Sequence, residues 1–260
     1  MSSCPPSTAP ELLTCVDVRC VYPDDSVALD GVCFSLRRGE RVGLIGPNGA
    51  GKSTLLRALI GVQDFGGSIT IDGIHLRPST AREVRQRIGL VFQNPDDQLF
   101  SPSIAEDVAF GPRSMGLPRE EAAKRTIEAL VSVDLRDMAD RNPMHLSFGE
   151  RRRAAIASVL SMRPLLLAMD EPSSNLDPVH RRRLMEWLNA QPDLTLLLAT
   201  HDLDMVAETC DRVLLLSRSI AADGHAREIL TDTALLATHG LEAPLGLQSL
   251  IFRRTRDNTE

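Results

Sequence analysis

Hydrophobic residues in this chain fall into two kinds of pattern. The first is a set of short apolar blocks, Arg41 to Ile45, Ile88 to Phe92, Leu165 to Met169, Thr195 to Ala199 and Val213 to Leu216. They are too short for helices and too continuous for half-exposed strands, so they read as strands buried on both faces. The second has apolar positions at helical spacing, over Lys52 to Ile60, Glu120 to Leu130, Arg151 to Ser161 and Pro178 to Asn189. Blocks of the two kinds alternate, which predicts an α/β sheet. Leu12 to Tyr22, Val27 to Leu36 and Gly67 to Asp72 add strands, the first two joined by a turn at Pro23-Asp24-Asp25. Ile104 to Arg141 reads as mostly helical, interrupted at Pro112 and Pro118, a candidate small helical lobe. Ile220 to Asp223 is a last strand, and Gly224 turns the chain into a final short helix.

Composition narrows the class. The 260 residues are 43% hydrophobic and 25% charged, an ordinary globular balance with a sizeable core. A net charge of −6 argues against a nucleic-acid partner, which would need a basic face. Five cysteines, odd in number and without a C-x-x-C pair, read as reduced thiols. No apolar run approaches the roughly 20 residues that span a bilayer, so any membrane role is peripheral. Residues 1–11, rich in Ser and Pro, read as a disordered leader, and 247–260 as a charged tail.

Candidate chemistry gathers where the buried strands end. Gly46-Pro-Asn-Gly-Ala-Gly-Lys-Ser53 follows the strand at Arg41 to Ile45, opens a helix and fits G-x-x-x-x-G-K-[ST]. Its amides suit polyphosphate, with Lys52 on the outer phosphates and Ser53 on Mg²⁺. Asp170 and Glu171 leave the next buried strand, placed for a Mg²⁺ shell and for a general base. His201 ends another, where it is either structural or set to face a γ-phosphate. Tyr22 is the sole tyrosine, either packing or stacking on a base. Ser147 and Gly149 precede a helix, as an anion site or a simple N-cap. Arg181 to Arg183 read as a solvated face.

With these pieces in order, the chain resembles the ATP-binding subunit of an ABC transporter over roughly 12–246. The match rests on the phosphate loop, Gln93 of the Q-loop, Leu146-Ser-Phe-Gly-Glu150 of the signature, Leu165 to Glu171 of Walker B, Ser174 to Asp177 of the D-loop and His201 of the switch. The resemblance implies a phosphate-loop NTPase core sheet with an antiparallel β subdomain and a helical signature subdomain near 94–162. It implies ATP bound by Tyr22, Gly46, Pro47, Asn48, Gly49, Ala50, Gly51, Lys52, Ser53, Thr54 and Gln93. Mg²⁺ would sit on Ser53, Gln93 and Asp170, with Glu171, His201 and Lys52 as catalytic residues. Ser147 and Gly149 would reach the ATP of a second cassette, a copy or a paralogue, meeting this one head to tail.

A narrower resemblance, on Phe92-Gln-Asn-Pro-Asp-Asp-Gln-Leu-Phe100, Glu106 to Gly111 and Thr238 to Pro244, is to energy-coupling-factor importers, most of all the cobalt and nickel branch. It implies a transmembrane coupling protein and a substrate-capture membrane protein as partners, at the cytoplasmic face of the cell membrane. Asp96 and Asp97 would receive basic side chains of the coupling protein, or form a solvated acidic turn. Phe148 and Glu150 depart from the usual signature residues and allow a nucleotide-gated module with impaired hydrolysis. The same motifs also admit a vitamin as cargo, or a motor shared among several capture proteins. Asn175, where a small residue is common, has no explanation at this level.

Overall fold

The computed structural model describes residues 11–247; the leader through residue 10 and the tail from residue 248 lie outside the described residues. A four-stranded antiparallel sheet is built from β1 (Glu11–Val21), β2 (Val27–Arg37), β4 (Gly66–Ile71) and β5 (Ile74–His75), in the order β2-β1-β4-β5. A six-stranded sheet contains β3 (Arg41–Ile45), β6 (Ile88–Val91), β7 (Leu166–Asp170), β8 (Leu196–Ala199), β9 (Arg212–Ser217) and β10 (Ser219–His225), in the order β10-β9-β3-β8-β7-β6. All of its pairs are parallel except β10 with β9.

The continuous apolar blocks have a plain cause. Along β7, Leu166 and Ala168 face the core shared with the antiparallel sheet, while Leu167 and Met169 face the core under the helices. Strands with cores on both faces cannot alternate polar and apolar residues. Helix α1 (Lys52–Leu59) fills the first core with Leu55, Leu56, Ala58 and Leu59. The second is covered by α3 (Ile104–Ser114), α4 (Arg119–Ser132), α5 (Phe148–Leu160), α6 (Pro178–Asn189), α7 (Leu203–Thr209), α8 (Ala226–Thr231) and α9 (Thr233–Thr238). Helix α2 (Ala81–Arg85) leads into β6.

Several elements differ from the pattern-based reading. Pro112 does not interrupt α3 but lies inside its last turn. A proline there leaves the carbonyl four residues back without its helical partner. The buried Ser161 hydroxyl takes that place, donating to Val108 O at 2.7 Å. Pro118 behaves as expected, as the N-cap of α4. Gly224 is within β10, and two short helices follow it rather than one. The short α2 and α7 carry too few periods to stand out in the sequence.

Arg181 is a structural ion pair, not part of a solvated face. Its guanidinium grips Asp202 with two bonds of 2.6 and 2.7 Å, tying α6 to the N-cap of α7. Burial pushes the Asp202 carboxyl up, but the Arg181 bond and charge and the Met205 amide outweigh it, and its pKa lies below the ordinary value. Arg182 and Arg183 are exposed as read.

These contacts set two expectations for stability. Ser161→Ala strands the Val108 carbonyl and lowers stability by about 1–3 kcal/mol. Adding Pro112→Ala restores an amide partner and recovers much of the loss, as read from denaturant midpoints of the single and double variants. Arg181→Met costs about 1–3 kcal/mol at neutral pH. A depressed carboxyl stabilises the fold above its unfolded pKa, and that contribution is lost as pH falls. The gap between native and variant midpoints therefore narrows below roughly pH 4.

Candidate nucleotide site

Strands β3, β7 and β8 end side by side, and the turn after each carries polar groups to one edge. The phosphate loop follows β3. Gly51 has φ +99°, and a side chain there would meet Ala28 O at 2.5 Å. Gly46 has φ +155°, and a Cβ would collide with the Leu216 carbonyl. Both positions need glycine for backbone conformation and for space. The loop then enters α1 with its first amides open to the edge.

Lys52 is buried at the start of α1, donating to Gly46 O at 2.8 Å and Pro47 O at 3.3 Å, with its ammonium 3.7 Å from Glu171 Oε1. Ser53 Oγ donates to Asp170 Oδ1 at 3.0 Å. Burial pushes the Asp170 carboxyl up and the neighbouring Glu171 adds to it, while the Ser53 bond opposes both. A buried carboxylate beside a hydroxyl supplies hard oxygen donors of the kind Mg²⁺ takes, so the pair fits that ion.

Glu171 is the most constrained residue of the site. Its φ of +44° is left-handed, unusual for a side chain of this size. The conformation is held by the amide, which donates to Ala199 O at 2.8 Å, and by the carboxylate. Oε2 accepts from Thr200 Oγ1 at 2.9 Å, from the His201 amide at 3.2 Å and from His201 Nδ1 at 2.8 Å. A carboxylate only accepts, so Nδ1 carries the proton of this pair. The other oxygen, Oε1, faces Lys52.

A cavity of about 610 Å³ opens onto Lys52, Ser53, Glu171 and His201 but not onto Asp170, Gly46 or Pro47, and is of a size that ligand pockets commonly have. Tyr22, Asn48, Gly49, Ala50, Gly51, Lys52, Ser53, Thr54, Gln93, Glu171 and His201 line it, so the structure brings most of the sequence-derived site together. Tyr22 is half-buried and its hydroxyl meets Thr54 Oγ1 at 2.5 Å, so the ring has a packing role and still borders the cavity. Gln93 is exposed after β6. Ser26, Val27, Ala28 and Arg218 also line the cavity. No motif marks them; the β9–β10 turn carries Arg218 there, at φ +62°.

Ser147 and Gly149 are not among the lining residues. They open α5, where Ser147 and Glu150 form a reciprocal capping box: Ser147 N and Oγ each lie 2.7 Å from Glu150 Oε2, and Glu150 N bonds Ser147 Oγ at 3.3 Å. The Ser147 hydroxyl and amide hold the Glu150 carboxyl below its ordinary pKa. Phe148 lies under the Arg151 and Arg152 guanidinium groups, 5.8 and 5.4 Å from its centroid. Asn175 has φ +61°, a conformation asparagine tolerates better than most residues, which accounts for it.

A parallel sheet with a phosphate loop at its edge, facing two adjacent carboxylates and a histidine, defines a phosphate-loop ATPase of the ABC class. The ABC transporter family profile matches residues 29–174. SCO3161, an ABC transporter ATP-binding protein of Streptomyces coelicolor, is 47% identical, covering 94% of this chain and 95% of its own. The energy-coupling factor transporter ATP-binding protein EcfA of Methanocaldococcus jannaschii is 39% identical over 91% and 87%. Among solved structures, cbiO1 of Clostridium perfringens, part of the ABC transporter complex cbiONQ, aligns with a TM-score of 0.77 at 34% identity, covering 88% of this chain and 94% of its own. The chain belongs to the ABC transporter family, as an ATP-binding subunit of the energy-coupling-factor type that binds and hydrolyses ATP.

Glu171→Gln is expected to lower steady-state phosphate release by about 10²–10⁴-fold, the range for loss of a general base. ATP binding should persist, measured by equilibrium titration of the same protein. Retained turnover would remove Glu171 from the catalytic role.

Proposed function

We propose that this chain is the ATP-hydrolysing motor of an energy-coupling-factor importer for cobalt or nickel ions. The observation that carries the reading is the likeness to cbiO1 over 88% of the chain. Under this reading Lys52 and the amides of the phosphate loop hold the phosphates of ATP, and Tyr22 borders the adenine. Ser53, Asp170 and Gln93 hold Mg²⁺, which supplies charge neutralisation at the phosphate oxygens. Glu171 takes a proton from the attacking water, its orientation set by Thr200 and His201. His201 faces the γ-phosphate.

Ser147 and Gly149 lie outside the cavity, so they serve the ATP of a second cassette, a copy of this chain or a paralogue. A solved relative, the ATP-binding cassette MJ0796 with ADP and Pi, is dimeric and aligns with a TM-score of 0.73 at 26% identity. ATP that binds better to the closed pair draws it shut, and hydrolysis releases it.

The membrane partners meet the surface beside Gln93. Phe100, which follows the Q segment, and Phe110 of α3 are exposed, 69% and 54%, and stack edge to face at 5.1 Å, an apolar patch suited to helices of a transmembrane coupling protein. Asp96 pairs with Arg151 at 2.9 Å and remains half exposed, so it joins the Q segment to α5 as well as facing outward. Asp97 is exposed beside it. Among the described residues no helix is long and apolar enough to cross a membrane. The chain is then peripheral, at the cytoplasmic face, with a substrate-capture membrane protein completing the importer. The names of the EcfA relatives, 39–42% identical, specify no cargo, which favours as a second reading a motor for a vitamin or for several capture proteins.

The test is accumulation of cobalt and nickel at limiting supply, in cells carrying the native chain or Lys52→Ala at equal level. Loss of one metal's uptake in the variant is expected. Unchanged uptake of both would move the assignment to the second reading.

A further inference from the structure

The cavity at the phosphate loop is bordered by one charged residue that no motif accounts for. Arg218 forms the turn between β9 and β10, with Ser217 and Ser219 paired on either side of it. Its backbone is fixed against the site at two points. The amide donates to Ala50 O at 3.2 Å, and the carbonyl accepts from the Asp30 amide at 2.8 Å. One bond is to the phosphate loop and the other to β2, so the residue is held in the wall of the cavity.

The residue type runs against the backbone. At φ +62° Arg218 is left-handed, a conformation that glycine or asparagine takes with less strain than a long side chain. What arginine adds there is its guanidinium. The side chain is exposed, and among the described residues its guanidinium has no hydrogen bond or ion pair. The carboxylate of Asp30, whose amide Arg218 accepts, is itself paired with Arg19 at 3.2 Å. Among the described residues the cavity wall carries one carboxylate, Glu171, one lysine, Lys52, and one arginine, Arg218. Lys52 already stands 3.7 Å from Glu171 and donates to two loop carbonyls. Arg218 has no such partner in the wall, so its charge is open to a phosphate.

Position decides which phosphate. In the sheet order β10-β9-β3-β8-β7-β6, the turns after β8 and β7 bring His201 and Glu171 to one side of the phosphate loop, and β9 lies on the other. That second flank is where Arg218 bonds to β2, whose first residues, Val27 and Ala28, line the cavity together with Tyr22 and Ser26. We propose that Arg218 is a nucleotide-binding residue, its guanidinium meeting the α-phosphate of ATP from the side opposite Glu171. The inference rests on reading this cavity as the ATP site with Tyr22 at the adenine. The α-phosphate is the anionic group next to the nucleoside and is the same in ATP and ADP, so the contact holds substrate and product alike and leaves the chemical step untouched.

Glycine tests the proposal, because it suits the turn and lacks the guanidinium. By equilibrium titration of the full chain, Arg218→Gly is expected to weaken binding of Mg-ADP and of a Mg-bound non-hydrolysable ATP analogue by about tenfold each. Its melting temperature should stay at least native, so affinity falls without a loss of fold. Arg218→Asn, which also tolerates the turn, is expected to match it. In steady state KM for ATP rises by a similar factor while kcat holds. The deficit narrows at high salt, as expected of a solvent-exposed charge. Native ADP affinity in both variants overturns the proposal, and so does a loss confined to the ATP analogue, which would place the contact at the γ-phosphate. A deficit that salt leaves unchanged overturns it as well, because the loss then belongs to shape and not to charge. Lys52→Ala, titrated alongside, tells two failures apart. If it also binds ADP natively, the cavity is not the nucleotide site; if it alone loses affinity, the site stands and only the role of Arg218 falls.

Discussion

The carboxylate of Glu171 is the point on which the site depends. It is buried, in a backbone conformation that side chains of its size avoid, next to a second buried carboxylate. Strain of that kind costs about 1–3 kcal/mol and persists only where the surroundings over-determine it. Here the surroundings are the ends of three strands. β8 supplies Ala199 O for the Glu171 amide, the turn after it supplies Thr200 and His201 for one oxygen, and the turn after β3 brings Lys52 toward the other. None of these elements is near Glu171 in sequence, so the sheet order is what makes the residue possible. A sheet in which β8 did not lie between β3 and β7 would leave the acid without donors.

A second layer of polar contacts ties that edge to the helices. Asp202, one residue beyond His201, caps α7 and is gripped by Arg181 of α6, the helix that begins after the D-loop. Arg152 of α5 holds the backbone of Gln93, and Arg151 of the same helix reaches Asp96. Arginine suits these joints because its planar fork bonds two acceptors at once. The groups that touch the nucleotide cavity thus connect, through a single side chain in each case, to the helices that carry Ser147 and Asp177.

How much of this was legible in the sequence depended on whether the signal was local. Buried strands and the phosphate loop were visible because a run of consecutive residues carried each of them. The pairings inside the site were not, since Ser53 with Asp170 spans 117 residues and Thr200 with Glu171 spans 29. Pro112 read as a break because a proline's cost in a helix is judged locally, whereas Ser161, far along the chain, repairs it. Arg181 misread for the same reason, its partner being invisible to charge patterning. The place of Arg218 in the cavity had no sequence signal, because it is created by the meeting of segments that look unremarkable alone.

The signature shows how one departure from a family pattern is absorbed. A glutamate at 150 adds a charge close to where a partner's phosphate would come, and Coulomb repulsion alone would oppose closure. In the structure that charge is engaged elsewhere. It accepts the amide and hydroxyl of Ser147 and stands at the N-terminus of α5, where the helix dipole favours an acid. Phe148, between Ser147 and Gly149, lies beneath two guanidinium groups, which bring positive charge to the same turn. The hydroxyl of Ser147 is therefore not idle in the single chain. If Ser147 serves the ATP of a second cassette as proposed, closure would exchange its bond to Glu150 for one to phosphate, one anionic acceptor for another.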